Sequence, residues 1–370
     1  MKRSLILVLT LLTVSAALAQ DKSDPYIAAF LIEPTTKSIL FEKNSHQPLP
    51  VASMTKMMTL LIAMEKIKEG ELALDTQVTV SARASKMGGS QVYLKQGAQF
   101  PVRDLLAATM IHSANDAATA LAEQIGGSNE SFAQLMNQRA AELGMKESKF
   151  YTPHGLPGFG EPEDVMSAYD AAMVGVELMK FPLMAEFAAM QDMPFKSGTF
   201  EKMYNPNHLL KIYPGATGIK TGFHVKAGFC VTGSARKNNM DLVVVVMGTP
   251  PSRKRENFTA AAEILTQGFN NYKMVEVLKK GQRLDQAAVV KNGQSKTVAV
   301  EAGSAVHVFL KRGEEKNIET TFMGESVAPI RKGQAVGSIV VKSAGKTIGK
   351  VPAVASVDVE AQPWWKRWLP

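Results

Sequence analysis

Apolar and polar positions along the chain change period several times, and each change marks a new element. Residues 26–32 and 38–42 are apolar, β-prone runs separated by Glu33-Pro34-Thr35-Thr36-Lys37, which predicts a hairpin. From Ser53 the period lengthens: Met57, Leu60, Leu61 and Met64 fall on one helical face, and Gly70 closes the segment. The same spacing predicts helices over 102–124, 129–143 and 167–179. Strands return at 228–235 and 242–247, flanking the turn-like Lys237-Asn238-Asn239, and a last helix follows over 256–265. Strands at both ends of a helical middle predict an α+β domain whose first and last strands share one sheet. Beyond Phe269, Gly and Val rise, and short alternating runs at 297–300, 305–310 and 337–341 are punctuated by Gly-containing turns. This predicts a first domain over 20–268 and a small all-β domain over 269–357, and a chain of 370 residues has the length for both.

The two ends carry signals of another kind. Lys2 and Arg3, an apolar run over 5–17 and the small-residue pattern Ala17-Leu18-Ala19 read as a secretory signal peptide over 1–19, shorter than the roughly 20 apolar residues a membrane-spanning helix needs. The expected location is the periplasmic side of the cytoplasmic membrane. All three tryptophans fall in the last seven residues, where Trp364, Trp365 and Trp368 interleave with Lys366 and Arg367. Indoles prefer the headgroup level and cations prefer anionic lipid, so 358–370 reads as a tail making peripheral membrane contact.

Composition narrows the chemistry. With 45% hydrophobic and 21% charged residues the chain is an ordinary globular one, and its formal charge of +8 is spread without a basic block, so no nucleic-acid partner is expected. An anionic surface or polymer fits the charge equally well. A single cysteine, Cys230, excludes an intrachain disulfide and a Cys-based zinc site, and the six histidines form no HExxH pair; neither metal nor cofactor is expected. Cys230 lies on an apolar strand and reads as a small buried residue, while Arg253-Lys254-Arg255 reads as a solvated turn opening a helix.

Three short motifs remain. In Ser53-Met54-Thr55-Lys56, at the start of a predicted helix, positions i and i+3 share a face, so Lys56 can reach the Ser53 hydroxyl, and the helix N-terminus offers free N–H groups to an oxyanion. A serine beside a neutral amine is an activated nucleophile. Ser234-Ala235-Arg236-Lys237 and Ser343-Ala344-Gly345-Lys346 match the same pattern but fall in predicted hairpin turns, so context selects Ser53. Ser113-Ala114-Asn115 interrupts a helical stretch; alone it reads as a cap or turn, although a hydroxyl can relay a proton and an amide can hold a peptide bond. Lys220-Thr221-Gly222 places a cation and a hydroxyl beside a residue without a side chain, able to hold a carboxylate against a strand edge. It does not complete a phosphate loop, because Ile219 stands where the second glycine belongs.

Together, the order SxxK, SxN, KTG resembles the β-lactamase and penicillin-binding-protein superfamily, and most nearly its low-molecular-mass (class C) penicillin-binding proteins, the serine-type D-alanyl-D-alanine carboxypeptidases. Pro50-Val51-Ala52-Ser53-Met54-Thr55-Lys56 resembles their active-serine segment, His112-Ser113-Ala114-Asn115-Asp116 their second motif, and the stretch 215–222 with Ala227-Gly228 their third. His154-Gly155-Leu156 and Ser167-Ala168-Tyr169-Asp170 resemble their connecting loop. The resemblance implies an antiparallel sheet flanked by helices, followed by the β-rich domain. It implies removal of the terminal D-Ala from peptidoglycan stem peptides through an acyl-enzyme on Ser53, and acylation by β-lactam antibiotics. By the same resemblance Lys56 is the general base, Ser113 and Lys220 relay the proton, Asn115 holds the substrate amide and Thr221 the terminal carboxylate. Gly222 lies against the substrate, and the N–H groups of Ser53 and Phe223 form the oxyanion hole. Two positions depart from the pattern: His224-Val225 follows Phe223, and Pro206 stands where several relatives carry an upstream arginine. A D,D-endopeptidase would use the same residues, a non-catalytic wall-binding or shape-maintaining protein could retain the fold, and a β-lactamase would need a deacylating base, for which Glu161 and Glu163 are placed in a plausible loop.

Overall fold

The computed structural model describes residues 24–363 apart from 159, 161 and 199, so the expected signal peptide, residues 364–370 of the expected 358–370 tail and Glu161 lie outside the described residues, whereas Val359 and Ala361 at the start of that tail pair with Ile330 and Gly293 of the β-rich part. A five-stranded antiparallel sheet organises the first part of the chain. Strands β1 (Ala28–Glu33) and β2 (Ser38–Lys43) form the expected hairpin. Strands β3 (Ala216–His224), β4 (Gly228–Lys237) and β5 (Met240–Thr249) complete the order β2-β1-β5-β4-β3, so the first strand pairs with the last, as the sequence pattern requires. Successive side chains on a strand point to opposite faces. Accordingly Val243, Val245 and Met247 of β5 enter a core shared with the helical middle, whereas Leu242, Val244 and Val246 pack on Ala261, Ile264 and Leu265 of a helix on the other face. A sheet covered on both sides needs near-continuous apolar strands, and all six residues of β1 are buried.

Several elements differ from the periodicity reading. Helix α1 (Lys56–Lys68) is buried all round over Lys56–Met64 rather than along one stripe, because it runs through the centre of the domain. Residues Ala52–Thr55 form a tighter turn that leads into it. The helix expected over 102–124 is broken: Val102–Ala107 continues into a widened turn, Ala108–His112, Ser113 takes a left-handed conformation (φ 63°), and α2 (Asn115–Gly126) starts afresh. Helices α3 (Asn129–Glu142) and α4 (Ala168–Leu178) match their patterns, and α5 (Glu256–Asn271) runs six residues beyond the expected end. A helix at Pro182–Ala189 and a hairpin of Asp192–Ser197 with Phe200–Tyr204 were not foreseen. Beyond α5 every strand belongs to a separate β-rich part with its own core around Val300, Ile339 and Val341. It is tied to the end of α5 by the Arg312 N–H donating to the Asn271 carbonyl (2.8 Å), and Tyr272, the first residue beyond α5, stacks on Phe309 within it.

Candidate active site

The three motifs converge from three elements. Ser53 sits in the tight turn before α1, which places its hydroxyl 2.9 Å from the Nζ of Lys56, the first residue of that helix. Lys56 is fully buried, and its Nζ also donates to Asn115 Oδ1 (2.6 Å) and the His154 carbonyl (2.8 Å). Burial, reinforced by the nearby Lys220 charge, pushes Lys56 well below the ordinary lysine range. A neutral amine has two protons and one lone pair. With Asn115 and His154 accepting the two protons, the lone pair is left for the Ser53 O–H.

The break before α2 has a structural consequence. It turns Ser113 into the cleft, where its hydroxyl is buried with no hydrogen-bond partner among the described residues. The Asn115 amide is taken at both ends, accepting from Lys56 and donating to the Gly88 carbonyl (2.7 Å), so it holds the lysine rather than facing the cleft unpaired. Lys220, Thr221 and Gly222 lie on β3, not in a turn, and β3 is an edge strand paired only with β4. The Lys220 side chain is buried, which lowers its pKa to about 7. A Cβ at Gly222 would collide with the Val51 carbonyl, so a residue without a side chain lets β3 close against the serine turn. Ser53, Ser113, Thr221, Gly222 and Phe223 line one cavity of about 460 Å³.

Residues that sequence reasoning left without a role hold this arrangement. Asp164 is buried and its carboxylate accepts from the Tyr151 and Thr152 N–H groups and from the Thr55 and Thr152 hydroxyls, fastening the 151–166 segment over the start of α1. Asp116 similarly accepts from the N–H groups of Val92 and Leu94, drawing the 88–94 loop onto α2 beside Asn115. His154 contributes only its carbonyl to Lys56; burial holds its imidazole pKa at about 3. Their signal in the sequence was adjacency to the motifs, since Asp116 follows Asn115 directly and Asp164 lies between the two segments of the connecting loop, His154-Gly155-Leu156 and Ser167-Ala168-Tyr169-Asp170.

Comparison with known proteins agrees with this geometry. A family profile described as D-alanyl-D-alanine carboxypeptidase matches residues 16–251, and one described as the C-terminal domain of penicillin-binding protein 5 matches 272–361. The chain belongs to the D-alanyl-D-alanine carboxypeptidase family. It is 36% identical to the D-alanyl-D-alanine carboxypeptidase DacF of Bacillus subtilis over 90% of this chain and 85% of that protein. DacC of Escherichia coli is 32% identical, over 90% and 84%. Penicillin-binding protein 5 from Haemophilus influenzae has a similar structure, with a TM-score of 0.72 at 28% identity over 91% of this chain and 98% of that one. The expected family and the α+β catalytic fold with its all-β appendage are therefore established, and the chain is a serine-type peptidase.

Within this carboxypeptidase the two departures take on physical meaning. His224 does not face the cleft: its Nε2 lies 3.0 Å from a Glu163 carboxylate oxygen, while Lys226 holds the other oxygen at 3.0 Å. Glu163 thereby fastens the connecting loop to the end of β3. Pro206 does line the cleft, and so do Lys254 and Arg255, which sit exposed on the expected solvated turn at the start of α5. The competing SxxK at Ser234 lies on β4 instead of in a turn, its hydroxyl 2.7 Å from that of Thr217, whereas Ser343-Ala344-Gly345-Lys346 does span the turn between two strands.

Proposed function

We propose that Ser53 is the nucleophile and Lys56 its general base, acting on a peptidoglycan stem peptide ending in D-Ala-D-Ala. The observation that carries this is the buried Lys56 amine, 2.9 Å from the Ser53 hydroxyl and fixed by two further acceptors. Ser53 Oγ attacks the carbonyl carbon of the penultimate D-Ala while its proton passes to Lys56 Nζ. The resulting oxyanion is held by the N–H groups of Ser53 and Phe223 at the strand edge. The C–N bond then breaks, and the leaving amine takes a proton relayed through Ser113 and Lys220. Water finally attacks the acyl-enzyme, releasing the shortened peptide and restoring Ser53. Asn115 orients Lys56, and Thr221 with Arg255 takes the terminal carboxylate.

A β-lactam occupies the same place and acylates Ser53. The chain works outside the cytoplasm, held near the membrane by Trp364, Trp365, Lys366, Arg367 and Trp368; among the described residues no helix is long and apolar enough to cross a membrane. Domain limits of 20–268 and 269–357, after a 1–19 signal peptide, complete this reading.

Mass spectrometry after incubation with penicillin, beside Ser53→Ala, followed by D-Ala release from a D-Ala-D-Ala peptide, tests it. One penicilloyl group on Ser53 with D-Ala release is expected. An adduct without release would favour the endopeptidase or wall-binding alternative, and no adduct would remove Ser53 from its role.

A further inference from the structure

The wall of the cleft beyond the catalytic residues carries cations that the protein does not neutralise. Lys211, Lys254 and Arg255 line the same cavity as Ser53 and Thr221, and its lining contains no Asp or Glu. Some surface cations are neutralised locally, as Lys43 is by Asp24 and Arg236 by Asp241. Arg253, next in sequence, lies 2.6 Å from Glu256, whereas Lys211, Lys254 and Arg255 have no ion-pair partner among the described residues. Their backbone is held in place. Asn205 donates to the Ala188 and Met190 carbonyls, Asn207 Oδ1 accepts from the Leu209 N–H (3.2 Å), and His208 packs edge-on against Phe258 of α5. The turn bearing Lys211 is thus braced against the helix start bearing Lys254. One cation and a hydroxyl suffice for a terminal carboxylate, yet this cleft presents three cations of one sign, an uncompensated field that selects a substrate with more than one negative charge.

Resting on the carboxypeptidase reading of the cleft, we propose that Lys211 and Lys254 form a second anion subsite, which binds a carboxylate of the stem peptide other than the C-terminal one. The second and third residues of a stem peptide can each carry such a group, free or amidated. The subsite makes this enzyme prefer stems whose carboxylates are free.

The test compares kcat/KM for D-Ala release from four synthetic pentapeptides: free carboxylates at both residues, amidated at the second, amidated at the third, and amidated at both. The wild type is expected to favour the fully acidic peptide over the doubly amidated one by about ten-fold, mainly through KM, with the preference shrinking as salt rises. The Lys211→Met/Lys254→Met variant, whose folded site is verified by stoichiometric penicillin labelling of Ser53, is expected to lose that preference, and the singly amidated peptides identify which carboxylate is read. Equal cleavage of all four by the wild type, or a preference that survives in the double variant, overturns the subsite while leaving the carboxypeptidase intact. D-Ala release from none of the four overturns the reading of the cleft and the subsite with it.

Discussion

Lys220 raises the cost of a proton on Lys56. The two lysines come from β3 and the first turn of α1, both are buried, and the charge of Lys220 adds to burial in depressing the Lys56 pKa. A fold that simply needed stability would not place two ammonium groups in one dry site; one that needs a neutral amine near pH 7 gains by it.

The rate of penicillin acylation should therefore rise with pH as Lys56 loses its proton. In Lys220→Gln the neighbouring charge is gone, the Lys56 pKa climbs, and the rising limb moves to higher pH while the plateau falls by about 10²-fold. Stopped-flow acylation across pH measures both. A limb that stays in place would show that burial alone sets the Lys56 pKa.

The same burial has a cost in stability. Because the folded-state pKa of Lys220 is about 7, below the ordinary 10.5, the unfolded chain binds more protons between those values, so this group's contribution rises with pH across that window. Lys220→Met should stabilise the inactive protein at pH 7 by about 3 kcal/mol, and its Tm advantage should shrink as the pH is raised toward 10.

Asn115→Ala removes one of the acceptors that fix the Lys56 protons. The expected result is a roughly 10²-fold fall in kcat with little change in KM. Gly89→Ala should cause a milder fall of the same kind, since a Cβ there would approach the Asn115 amide nitrogen to 2.8 Å. A change confined to KM would assign Asn115 to substrate binding instead.

Gly155 has φ +77°, and a Cβ on it would collide with the Ala52 carbonyl at the serine turn. Gly155→Ala should lose about 3 kcal/mol or more in a denaturant titration. Any folded fraction should label poorly with penicillin, because relief of the collision moves the turn that carries Ser53.

Cys230 is buried on β4, and burial raises its thiol to about 11. Maleimide near pH 8 should leave the native protein unlabelled and modify the chain once it is unfolded. Rapid labelling of the native state would contradict the packing of β4 against β3.

Much of this protein is written locally. The β1–β2 hairpin, the Asn238-Asn239 turn between β4 and β5, and the Ser53/Lys56 spacing each depend on residues a few positions apart, where side-chain alternation, turn preference and helical pitch act directly. The order of the three motifs is likewise a property of the sequence alone, and it carries the family resemblance. Other features depend on partners distant in sequence. The α1 stripe proved to be a helix buried on every side, because its environment is set by elements distant in the chain, α2, α3 and α4 among them. The lysine chemistry exists only where Asn115, His154 and Lys220 enclose Lys56. Lys254 and Arg255, adjacent to the paired Arg253, look like any charged turn until α5 docks on the sheet and turns them into the cleft. Sequence determined which groups this protein has and how neighbours fold; tertiary structure decided which are dry, which are paired and which face the substrate, because burial and electrostatic coupling depend on distance through space.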